Sequence, residues 1–151
     1  MTLARLSLIA AATTLAAATP VAATATAAKA ACTVTVGKRA VAADLERGRR
    51  GFLKCRACHT LKAGERNLVG PNLGKMLERG PLAAAGFNYS PAFQAAKPRW
   101  TATSLDAFLR APAKTVPGNR MVFAGLTKAE ERADIIAWVA KESGTPLRTC
   151  R

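Results

Sequence analysis
From about position 44 onward, apolar residues return at intervals of three and four, and no stretch alternates convincingly with a period of two. The pattern predicts helices without strands. Asp44 precedes Leu45, Phe52 and Leu53 at helical spacing, which predicts a helix leading into Cys55 despite the weakening presence of Gly48 and Gly51. Leu73, Met76 and Leu77 follow Gly70-Pro71-Asn72 as a short helix that Gly80-Pro81 stops. Ser90-Pro91 sets an N-cap before a proline at the first helical position, so residues 91–96 form another helix, ended by Pro98. Ser104 caps a segment carrying Leu105, Phe108 and Leu109, which Pro112 closes. The last helix has a capping box at Thr127-Lys128-Ala129-Glu130, an apolar face at Ile135, Ile136 and Val139, and Gly144 and Pro146 beyond its end. The expectation is an all-α domain of about four to five short helices. Its loops are long for so small a core, which suggests that something other than side chains fills the middle.

The first residues follow a different rule. Residues 1–31 hold fourteen alanines, Arg5 near the start, a moderately apolar run over 6–18 and a helix breaker at Pro20, followed by small residues that offer cleavage sites. This is the order of a secretory signal, and the apolar run is shorter than the ~20 residues that span a bilayer. The alternative is a low-complexity Ala/Thr tail. The resulting division is a cleaved signal over 1–28, an extension over 29–43, a folded domain over 44–144 and a tail over 145–151, with export to the periplasm.

Charge then narrows the partners. The 151 residues include 23 Lys and Arg against 9 Asp and Glu, for a formal charge of +14, and half are hydrophobic. One folded domain is expected, not a disordered chain. A surplus of this size suits nucleic acid, an anionic membrane surface or an acidic protein. Nucleic acid and membrane binding rank low, because the chain shows neither an aromatic-basic reading motif nor an amphipathic basic helix.

The cysteines and the single histidine carry the chemistry. Cys55-Arg56-Ala57-Cys58-His59 is the C-x-x-C-H pattern of covalent c-type haem attachment. Two thiols three residues apart on a helical turn share a face and can link to the two vinyl groups of one porphyrin edge, and the next residue offers its imidazole to the iron. A zinc site would have to recruit Cys32 or Cys150 from opposite ends of the chain. A thioredoxin-like pair would want a strand-turn-helix setting, and a plain disulfide would leave His59 idle. With no second histidine, the other axial ligand falls to methionine. Met76 sits on an apolar helical face, whereas Met121 follows the irregular Pro117-Gly118-Asn119-Arg120 loop and precedes Val122-Phe123, a dry wall.

Cys55 to His59, Gly70-Pro71-Asn72-Leu73, Gly86-Phe87-Asn88-Tyr89, Trp100 and the run from Val116 to Gly125 together resemble a class I cytochrome c of the mitochondrial and bacterial c2 kind. The resemblance runs from about Asp44 to Gly144. It implies the cytochrome c fold around one covalently attached haem c, with His59 and Met121 as axial ligands and the Pro71 carbonyl accepting the imidazole N–H. It also implies that Arg79, Tyr89 and Trp100 contact the haem propionates. Two positions depart from the family: Phe108 stands where a tyrosine often lies near the methionine sulfur, and Phe93 where an asparagine often lies near the haem.

The implied function is a soluble one-electron carrier and not an enzyme, the alternative being a haem enzyme with a labile methionine. Lys54, Lys62, Lys114 and Arg120 lie near the cysteines or the methionine loop and are expected to ring the haem edge. They would steer it to acidic redox proteins, either membrane-bound reductase or oxidase complexes or a periplasmic dehydrogenase, with only peripheral membrane contact and a monomeric carrier. Cys32 and Cys150, outside the region of resemblance, are expected to pair with one another. An intermolecular bridge and lipidation of Cys32 are the alternatives.

Overall fold
A computed structural model describes residues 32–150; the expected signal over 1–28 lies outside the described residues, as do the first positions of the extension. Contrary to the expectation of helices alone, the described chain opens with a hairpin. Strands β1 (Cys32–Val36) and β2 (Arg39–Ala43) pair antiparallel with Val34 opposite Val41. Cys32, Val34 and Val36 are buried while Thr33 and Thr35 face solvent, a period-two pattern only five residues long. Gly37, at φ 60°, begins the two-residue turn, a conformation that glycine adopts without steric cost.

Asp44 caps α1 (Leu45–Gly51) by accepting the Arg47 N–H at 2.7 Å, and one tight turn (Phe52–Lys54) carries the chain to Cys55. Helix α1 packs against α5 (Ala129–Glu142) so closely that a Cβ on Gly48 would overlap the Asp134 carbonyl, and one on Gly51 would lie 2.8 Å from Ile135. The two glycines that weaken the helix as a local element are what let the helices cross. Asp134, buried at this crossing, accepts the Asp44 N–H and the Arg47 Nε–H, each at 2.7 Å.

Three local expectations are not met. Residues 74–78 form turns where a helix from Leu73 is expected: Lys75 takes a left-handed φ of 52°, and its N–H donates to the Ser143 carbonyl at 2.7 Å. The capping box at Thr127 does not form. Lys128 occupies the N-cap of α5 without a side-chain bond, while Arg132 Nη1 donates to the carbonyls of Leu126 and Thr127. Helix α3 (Ala102–Arg110) is capped by Thr101, with Ser104 completing the box from its third position. The Ser90-capped α2 (Pro91–Ala96) and the short α4 (Pro112–Thr115) complete the helices.

The hairpin lays Val34, Val36, Val41 and Ala43 into a core shared with Ile135, Ile136 and Val139 of α5 and Leu105 and Leu109 of α3. Cys32 and Cys150 are joined by a disulfide, 118 residues apart in sequence. The loops over 55–90 and 116–128 join this core through Met76 and Leu126. Gly48→Val should separate α1 from α5 and cost about 3 kcal/mol or more by urea denaturation; unchanged stability would contradict the packing.

Candidate functional site
Between the helical core and the loops lies a mainly apolar cavity of about 510 Å³, within the ~300–1,000 Å³ range of ligand and cofactor sites. Cys55 and Cys58 both line it, because the chain turns helically here: Cys58 N–H and His59 N–H donate to the Cys55 carbonyl at 3.0 and 2.9 Å. Burial pushes the Cys55 thiol up to about 11, with Lys54 opposing, so the free side chain is a neutral thiol at pH 7.

His59 enters the cavity from the same turn. Its Nδ1 lies 2.8 Å from the Pro71 carbonyl, which fixes Nδ1 as the protonated donor and leaves the Nε2 lone pair free. Burial holds the imidazole below its ordinary range, the Pro71 contact partly offsetting this, so the ring is neutral at pH 7. Gly70 presses against the ring face: a Cβ there would fall inside the imidazole's van der Waals envelope. The Gly70 N–H donates to the Cys58 carbonyl at 2.8 Å, and Leu73 N–H to the Thr60 carbonyl at 2.8 Å, stitching this segment to the cysteine turn.

Met121 lines the cavity as well, at the end of a loop that Asn119 organises. The Asn119 amide donates to the carbonyls of Pro112 and Val116 at 3.0 and 2.7 Å, and its oxygen accepts the Met121 N–H at 2.9 Å. Met76 reaches the same cavity but is buried in the core cluster. Val122 does not form a dry wall as expected; it is fully exposed at the cavity mouth, as is most of Val69, while Phe123 is half-buried.

The far wall is aromatic. Phe93 meets Phe108 edge-on at 5.7 Å, Phe108 meets Trp100 at 5.1 Å, and Tyr89 joins Phe93 to Phe87. Neither Phe93 nor Phe108 brings a hydroxyl or amide, so this part of the wall is dry. Tyr89 Oη accepts the Ala84 N–H at 3.2 Å, which leaves its own O–H free to donate. Arg79 donates to the Asn72 carbonyl, and it lines the cavity together with Tyr89 and Trp100.

Of the four basic residues expected at the rim, the structure brings two to the cavity. Lys54 lines it but is ion-paired with Glu131, and Arg120 lines it while donating to the Asn88 carbonyl at 2.8 Å. Lys62 and Lys114 are exposed but outside the lining. Gly70 and Asn119 stand in the sequence motifs without a role of their own, and the exposure of Val69 and Val122 has no sequence signal. A glycine directly before Pro71 was the available signal for the first; the others depend on loop geometry.

These donors fit a covalently bound haem. Two thiols, one neutral imidazole and a thioether line a single apolar cavity, and the disulfide between Cys32 and Cys150 removes the cysteines that a zinc site would need. No family model matches the chain. The chain is similar to cytochrome c of Chlamydomonas reinhardtii, 48% identical over 101 residues that cover 66% of this chain and 90% of the relative. It is similar also to cytochrome c-550 of Nitrobacter winogradskyi, 38% identical over 65% of this chain and 90% of the relative. Cytochrome c2 of Agrobacterium tumefaciens is 38% identical over 64% and 89% respectively.

Gly70→Ala should displace the His59 ring, lower stability by about 2 kcal/mol and shift the visible spectrum of the haem-loaded protein; an unchanged spectrum would contradict the contact.

Proposed function
The chain belongs to the class I c-type cytochromes, haem proteins of electron transport, and on that premise we propose that it is a one-electron carrier in which His59 and Met121 are the axial ligands. The observation that carries this reading is that Cys55, Cys58, His59 and Met121 all line one cavity. Covalently attached haem c supplies an iron that alternates between Fe(II) and Fe(III).

The chain's own residues set the terms of that exchange. Cys55 and Cys58 hold the cofactor by thioether links. Pro71 accepts the Nδ1 proton and so presents the His59 Nε2 lone pair. Met121 offers a soft sulfur that favours the reduced state, and Phe108, which lines the same cavity, carries no group that could donate a hydrogen bond to it. His59 and Met121, both holding the iron, would leave no position open to a substrate, which supports a carrier in preference to a catalyst. Arg79, Tyr89 and Trp100 supply N–H and O–H donors for the propionates.

Val69, Val122 and Arg120 are exposed and line the same cavity, an apolar contact patch with a basic edge from Arg120, since Lys54 is paired with Glu131. That edge suits an acidic redox partner, such as a membrane-bound reductase or oxidase complex or a periplasmic dehydrogenase, met by a monomeric carrier. The leader-like composition of residues 1–28 supports a periplasmic location.

Visible spectra with and without carbon monoxide test the closed site. The reduced native protein should not bind carbon monoxide, and Met121→Ala should bind it; rapid binding by the native protein would favour a haem enzyme, and no binding by the variant would remove Met121 as the ligand. Electron transfer to an acidic partner should slow about tenfold or more between ~0.01 and ~0.15 M ionic strength, and a flat dependence would reject steering.

A further inference from the structure
Away from the cavity lining, Asp106 of α3 and Arg132 of α5 form an ion pair with 3% and 4% of their surfaces exposed, Arg132 Nε donating to Asp106 Oδ1 at 2.5 Å. A buried pair adds little net stability over apolar packing of the same shape, so its value lies in what it holds in register. The remaining hydrogen-bonding atoms of both partners point to the answer. Arg132 Nη1 donates to the Leu126 carbonyl at 2.7 Å and the Thr127 carbonyl at 2.8 Å, the two residues that end the loop carrying Met121. Asp106 Oδ2 accepts the N–H of Gly37, at the tip of the N-terminal hairpin, at 3.0 Å.

The same loop end is fastened twice more. Leu126 N–H donates to the Leu109 carbonyl at 2.8 Å, and Gly125, at φ 99°, lies so close to the Arg110 carbonyl that a Cβ would overlap it. Asn119 fixes the other end of the loop. Met121 therefore sits on a span anchored at both sides, and the downstream anchor is a charged network whose outermost member is the hairpin.

We propose that Asp106 and Arg132 are positioning residues for the Met121 loop, and that the hairpin over 32–43, clipped by the Cys32–Cys150 disulfide, is the brace that completes the network and shields it from water. The extension thereby gains a role in the redox site although none of its described residues lines the cavity. This inference rests on Met121 being the axial ligand.

The test is displacement of methionine by added imidazole in the full-length, oxidised haem protein, followed by stopped-flow absorbance. At high imidazole the observed rate levels off at the rate at which the methionine leaves the iron. Asp106→Asn should raise that limit at least tenfold, and Arg132→Lys, which keeps the charge but not the three-way contact, should do the same if the first variant fails to fold. Cys32→Ala/Cys150→Ala should raise it about threefold. Ser143→Ala, which removes a buried hydroxyl at the far end of α5, should lower stability but leave the limit within twofold. A limit that is unchanged in the Asp106 and Arg132 variants, or that rises equally in Ser143→Ala, would overturn the proposal. If native protein shows no levelling off and matches Met121→Ala, the ligand reading itself fails, and with it the premise of the brace.

Discussion
The chain has one histidine, and its imidazole is fixed between two backbone features, the Pro71 carbonyl accepting from Nδ1 and the Cα of Gly70 against the ring. Much of the structure follows from that restraint. The ring can offer one nitrogen into the cavity only because the other is committed, and burial keeps it unprotonated. With a single imidazole in the chain, the proposed second ligand is a different donor, which gives the loop over 116–126 its importance. Neither loop could hold these positions alone. The crossing of α1 and α5 at Gly48 provides the base from which the tight turn over 52–54 delivers both cysteines and the histidine.

What could be read from the sequence was chemistry written in adjacent residues. The C-x-x-C-H run, the Ser90-Pro91 helix start and the Gly144 stop of α5 are each specified within a few positions, and the structure places them so. What could not be read was decided by distant partners. Lys75 adopts a left-handed conformation and bonds Ser143, so the helical spacing of Leu73, Met76 and Leu77 yields turns. The capping box at Thr127 is unmade because α5 starts one residue later, at an N-cap of Lys128. The hairpin escaped notice because each strand is five residues long and β2 is alanine-rich, a composition that favours neither strands nor any clear period. Gly48 and Gly70 look like weak points locally and act as contact surfaces globally.

The site combines a dry wall with a fully satisfied polar frame. Phe93, Trp100 and Phe108 interlock edge to face, while every buried side-chain nitrogen and oxygen among the described residues has a hydrogen-bond partner. The dry wall by itself pulls the reduction potential in opposite directions. A sulfur without a donor is a richer ligand and stabilises Fe(III), whereas a pocket of low polarity disfavours the extra charge of Fe(III). Rigidity, by contrast, is served by both, since interlocked rings and fixed loop ends resist rearrangement when the charge changes.

The central claim is that this cavity closes an iron between His59 and Met121 in both oxidation states. X-ray absorption at the iron edge, recorded on the oxidised and the reduced protein, addresses it directly. The account requires a single sulfur scatterer on iron in each state, opposite a histidine nitrogen, with nearly unchanged bond lengths. Oxygen or nitrogen in place of that sulfur, in either state, would contradict it.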